Sequence, residues 1–103
     1  MKIILSTTPN IDKAKTIAKA LVETKLAACI NIVPKVISIY EWENAIQNDE
    51  EAMMIIKTSD EMAEKAKNKI LELHAYTLPE VIFIDINDGN KDYIDWVSNQ
   101  VQK

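Results

Sequence analysis

Residues 28–42 read ACINIVPKVISIYEW, an extended segment of fifteen residues rich in β-branched and aromatic side chains. Strands usually run about 5 to 6 residues, and at about 3.3 Å per residue this one reaches roughly 50 Å. A second extended segment, Ile46 to Thr58, can fold back on it through Asn44-Ala45. The two candidate helices available to cover the hairpin are each about 15 residues, or roughly 22 Å long. Half of the hairpin is therefore expected to be bare. That outer half carries Val36, Ile37, Ile39, Tyr40 and Trp42 on both of its faces, and a two-sided apolar ribbon in water is an aggregation hazard. Burial by further copies of the chain resolves the hazard. Val36, Ile39, Tyr40, Trp42 and Trp96 are the expected interface residues, because aromatic anchors are enriched in such seams.

Outward from the hairpin, Lys2 to Thr7 reads as a short buried strand. Thr8-Pro9, a cap followed by a proline suited to a first helical turn, opens a helix. Ala14, Ile17, Ala18, Leu21 and Val22 give that helix one apolar face. After the hairpin, Thr58-Ser59-Asp60-Glu61 has the form of a capping box, and Met62, Ala66, Ile70 and Leu73 continue a second amphipathic helix to His74. Val81 to Ile86 is a fourth strand, Asp88-Gly89-Asn90 turns the chain, and Tyr93, Ile94, Val97 and Val101 line a last short helix.

The order β-α-β-β-α-β plus a C-terminal helix defines an α+β, ferredoxin-like sandwich with an overlong second hairpin, one domain over residues 1–103. Right-handed crossovers predict the sheet order 4-1-3-2. Strand directions then bring Ser6, Thr7, His74, Tyr76 and Glu80 to one end of the sheet and Cys29 and Lys57 to the other, roughly 20 Å away.

Composition narrows the function. The net charge is −4, and all twelve basic residues are lysines. Missing arginine removes the bidentate fork best suited to phosphates and guanine edges. The lysines are interleaved with acids, so nucleic acid is not an expected partner. Asn48-Asp49-Glu50-Glu51 reads as a solvated, turn-like charge run. No segment approaches the 18 or so apolar residues of a membrane span, and the start MKIILSTTPN lacks the apolar centre of a signal peptide, so a cytoplasmic protein is expected. A single cysteine, Cys29, excludes an internal disulfide and suits a reducing compartment.

The residues that could carry chemistry are few. A Cys29 nucleophile needs a base within about 3 Å, and strand direction keeps His74 away from it, which leaves Cys29 as a small core residue. Lys57 is either an anion contact at a subunit seam or a strand-end lysine with its head in solvent. His74 is the one imidazole available for metal or proton chemistry, or else a histidine favoured by the helix C-terminus. Glu80 and Tyr76 could join it. With no glycine-rich phosphate loop and no Ser-His-Asp set, the chain does not read as an enzyme.

Four segments in order, KLAACINIVPKVISIYEWENAI, EEAMMIIKT, ELHAYTLPE and YIDW, resemble the CutA divalent-cation-tolerance proteins over nearly the whole chain. The resemblance implies a ferredoxin-like homotrimer, fold-related to PII signalling proteins, whose hairpins wrap around neighbouring subunits. It also implies a link to tolerance of copper and other divalent cations. Some similar bacterial members carry a Cys in the first strand and a His-His pair before Pro-Tyr as copper ligands. Here Ser6 and Leu73-His74 before Ala75-Tyr76 stand at those positions, so one ligand of three is kept, and a hydroxyl is a poor substitute for a thiolate towards copper. Two expectations follow: a trimer with a weak Cu or Zn site around His74 and Glu80, or a PII-like trimer holding a small anionic effector near Lys57 and Tyr76.

Overall fold

The computed structural model describes all 103 residues. Its elements are β1 (Lys2–Thr8), α1 (Ile11–Glu23), β2 (Cys29–Trp42), β3 (Ala45–Thr58), α2 (Ala63–Leu73), β4 (Ile82–Asp85) and α3 (Lys91–Gln100). The four strands form one sheet in the order β2-β3-β1-β4, with every neighbouring pair antiparallel. This is the expected ferredoxin-like arrangement. The strands of the hairpin are 14 residues each, while α1 and α2 have 13 and 11. The hairpin accordingly stretches the chain to 45 Å in one direction against 25 and 21 Å in the others.

Period-two alternation decides which side chains enter the core. On β3, Ala52, Met54, Ile56 and Thr58 are buried towards α1 and α2, and the register sets Ile56 opposite Ile4 and Met54 opposite Ser6. Ile17, Leu21, Ala66 and Ile70 meet them from the helices. The other sheet face carries Ile3, Leu5, Met53 and Ile55, all half-buried, beside Ile82 and Ile84 of β4, which are 51% and 43% exposed. A second apolar surface therefore lies opposite the helices, where the sequence had suggested a bare region only on the hairpin.

Several boundaries differ from the sequence expectation, each for a local reason. Thr8 does not cap α1; it stays in β1, and its hydroxyl donates to the Asn10 carbonyl. Asn10 is the cap, with its side chain accepting from the Lys13 amide at 2.8 Å, and asparagine is at least as good a cap as threonine. The expected capping box is also displaced: the Thr58 hydroxyl donates to the Leu26 carbonyl, Ser59 Oγ accepts from the Met62 amide, and α2 begins only at Ala63. The hairpin turns at Glu43-Asn44 instead of Asn44-Ala45, because Trp42 pairs with Ala45. Both turn residues have positive φ, 51° and 64°, as in the mirror-image two-residue turns that match strand twist. Pro34 lies within a bulge between Val33 and Val36, where its missing N–H breaks no regular ladder. Asn48 to Glu51 belongs to β3 and is not a turn.

The end of α1 is a Schellman motif. The Leu26 amide donates to the Leu21 carbonyl and the Lys25 amide to Val22, and Leu26 packs with Leu21 in the core. Lys25 occupies the left-handed position usually held by glycine, with φ 58°. Lys25→Gly should therefore raise stability by about 0.5–1 kcal/mol. The check is a urea midpoint, and an unchanged or lower midpoint would refute strain at this position.

Candidate functional site

The chain leaves α2 at His74 and crosses the top of the sheet to β4. The crossing is pinned by two residues. His74 Nε2 lies 2.7 Å from the Thr7 carbonyl oxygen, and the Tyr76 amide donates to His74 Nδ1 at 3.1 Å. A carbonyl can only accept and an amide N–H can only donate, so the imidazole is the neutral Nε2–H tautomer with both nitrogens in use. The Tyr76 ring sits 4.9 Å from the imidazole, and its hydroxyl donates to Glu51 of β3 at 2.7 Å. Burial and then the bond to Glu51 push the Tyr76 phenol above the ordinary tyrosine range, so it remains a donor.

This strap and the outer hairpin enclose a cleft of about 780 Å³. Three aromatic rings line it, those of Tyr40, Trp42 and Tyr76, together with four carboxylates, Glu41, Asp49, Glu51 and Glu80. Ile39 and Leu78 supply apolar wall. No lysine or histidine is among the lining residues. Asp49 and Glu51 are alternate residues of β3 and so share one sheet face. Each is engaged by a phenol: the Tyr40 hydroxyl donates to Asp49 at 2.5 Å as Tyr76 does to Glu51. The bond to Asp49, followed by burial, raises the Tyr40 phenol as well.

Of the residues singled out in the sequence, Tyr76, Glu80, Tyr40, Trp42 and Ile39 come together here. His74 is not among the lining residues; it belongs to the strap, where both ring nitrogens are engaged, whereas Glu80 lines the cleft. Ser6 Oγ is a fully buried neutral hydroxyl without a hydrogen-bond partner, and no three His, Cys, Asp or Glu side chains converge closely enough to hold a metal ion. Of the residues at the family's copper positions, Ser6, Leu73 and His74, only the histidine is an ordinary metal ligand.

Lys57 and Tyr76 are not brought together either. Tyr76 bonds to Glu51, six residues from Lys57 on the same strand, or about 20 Å. Lys57 Nζ instead lies 5.4 Å from the centre of the Tyr93 ring, which stacks with Trp96 at 5.7 Å. Cys29 is half-buried opposite Lys57. The strand from Lys57 to Met53, the partner of Thr7, spans four residues, about 13 Å. That is shorter than expected, yet still too far for Cys29 and His74 to act as a pair.

The carboxylates of Asp49 and Glu51 were legible only as charge. Their period-two spacing in step with Met53 and Ile55 is the signal that marks all four as one face of a strand.

Residues 2–100 match the profile of the CutA1 divalent ion tolerance protein family. The chain belongs to that family. It is 44% identical over 96 residues to the divalent-cation tolerance protein CutA of Thermus thermophilus, covering 93% of each chain. Its fold superposes on a crystal structure of CutA1 from Pyrococcus horikoshii with a TM-score of 0.96 at 36% identity over the whole of both chains. The PII-like protein CutA from Nostoc sp., solved in apo form, follows with a TM-score of 0.92 at 35% identity, covering 99% of this chain and 98% of that one. The chain spans between 51% and 63% of the length of the plant and animal CutA proteins it matches. No helix of this CutA-family chain is long and apolar enough to cross a membrane.

Proposed function

We propose that this chain is a non-enzymatic, trimeric, cytoplasmic module of divalent-cation tolerance, and that cations act on it through the cleft between the hairpin and the Tyr76–Glu80 strap. The observation that carries this reading is the sign of the charge. Four carboxylates line the cleft and no basic side chain does. An acid-walled concavity concentrates cations and repels anions. Oxygen donors without a thiolate suit Zn(II), Cu(II) or hydrated ions better than Cu(I), and because the carboxylates do not converge, binding is weak. The name of the Thermus relative, a divalent-cation tolerance protein, supports the same reading.

Assembly is supported by two uncovered apolar surfaces. On the outer hairpin Ile37, Ile39, Trp42 and Ile46 are 47–70% exposed. On the open sheet face Ile82 and Ile84 continue the row of Ile3, Leu5 and Ile55. The sheet also ends in two unlike edges, β2 and β4. Contacts between unlike surfaces that close on themselves give rings, and three copies is the number the family resemblance implies. The anionic-effector alternative has less behind it, since Lys57 is engaged with Tyr93 and stands far from the cleft.

Thermal unfolding with Zn²⁺ or Cu²⁺, set against ATP and citrate, tests the reading. A ligand that binds only the native state raises its apparent stability. The metal ions should raise the midpoint and the anions should not. Stabilisation by ATP or citrate alone would replace the cation reading with the anion one.

A further inference from the structure

We propose that Asp88-Gly89, in the loop between β4 and α3, is a site of spontaneous backbone modification, where the aspartate closes to a succinimide and reopens as isoaspartate. The Gly89 amide donates to Asp88 Oδ1 at 2.8 Å, and both residues are exposed. An amide nitrogen held against Oδ1 lies beside the carboxyl carbon bonded to that oxygen, which is a near-attack arrangement for ring closure. The Gly89 nitrogen bonds to Asp88 Cγ and gives up its proton, the protonated carboxyl gives up its hydroxyl, and the two leave as one water. Solvent then opens the ring. Attack at Cγ restores aspartate, whereas attack at the main-chain carbonyl breaks its bond to the Gly89 nitrogen and leaves the chain running through the side chain. The loop and water supply every atom.

Glycine is the residue that this closure favours, because a Cβ on the following residue crowds the nitrogen as it approaches. Gly89 is the one glycine in the chain, so every other aspartate and asparagine precedes a residue that carries a Cβ. The backbone itself does not demand glycine here. No glycine has positive φ, and an added Cβ would first meet Ile94 Cδ1, the movable end of a side chain, at 3.3 Å. The loop is also polar from Asn87 to Asn90 and belongs to neither of the apolar surfaces assigned to neighbouring copies. The product has a structural consequence. Asn90 caps α3, its side chain accepting from the Asp92 amide and its carbonyl from the Ile94 amide, both at 3.0 Å. Isoaspartate adds one methylene to the main chain just before that cap, so the first turn of α3 should loosen while Val97 stays buried.

Ageing of the folded full chain for several weeks in mildly acidic buffer tests this, read by peptide mass spectrometry and by labelling with an isoaspartyl carboxyl methyltransferase. A species lighter by one water, followed by methyl-accepting isoaspartate, should appear, and fragmentation should place both at Asp88. Gly89→Ala should lose most of the product with an unchanged circular dichroism spectrum. Asp88→Glu, which would have to close a larger ring, should lose it too without touching Ile94. Amides in the first turn of α3 should exchange faster in aged wild type than in fresh protein. Product spread evenly over the other aspartates, equal yields from wild type and Gly89→Ala, or product that forms only after unfolding in urea would each overturn the inference.

Discussion

Trp42→Ala should break the assembly into smaller species at micromolar concentration. Trp42 sits at the end of β2, 47% exposed in the single chain, on a hairpin that reaches beyond both helices. If neighbouring copies bury it, truncation removes about 3–5 kcal/mol from each contact, and every ~1.4 kcal/mol is tenfold in association. The weakening is then at least about a hundredfold for each seam. Light scattering after size exclusion reads it directly. A mass distribution identical to wild type, with an unchanged melting temperature, would show that Trp42 serves only as a wall of the cleft.

His74→Ala should destabilise the fold without altering cation affinity. The imidazole joins the Thr7 carbonyl at the end of β1 to the Tyr76 amide, and its removal leaves both without partners. A part-buried group stripped of its hydrogen bond loses about 1–3 kcal/mol, and each kcal/mol corresponds to about 4–8 °C in the midpoint of a domain this size. Zinc isotherms of the folded variant should match wild type at low temperature. An unchanged midpoint with lost zinc binding would return His74 to the role of a metal ligand.

The architecture could be read from the sequence because its signals are periodic and redundant. Alternation over Ile46 to Thr58 and the 3.6-residue spacing of Ala14, Ile17 and Leu21 each leave one arrangement, and the right-handed crossover rule then orders the sheet. Single-residue features were less legible. Thr8 and Asn10 are both good caps, and the choice between them depends on Thr8 being held in β1 opposite Ala52. The apolar residues Ile3, Leu5 and Ile55 signalled a strand buried on both sides, but only the register shows that the helices cover one face. The site was half legible. Tyr76, Glu80, Tyr40 and Trp42 could be named, whereas Asp49 and Glu51 looked like a solvated charge run until the register set them beside two phenols. The commitment of both His74 nitrogens is tertiary: Thr7 lies 67 residues away in sequence, and no local pattern records that contact.

Sedimentation equilibrium of the wild-type chain tests the central claim, that the bare hairpin and the open sheet face are covered by other copies. One chain has a mass of 11.7 kDa. A single species of three times that mass, unchanged on dilution through the micromolar range, is the expected result. A stable 11.7 kDa monomer would contradict it, because both apolar surfaces would then face water.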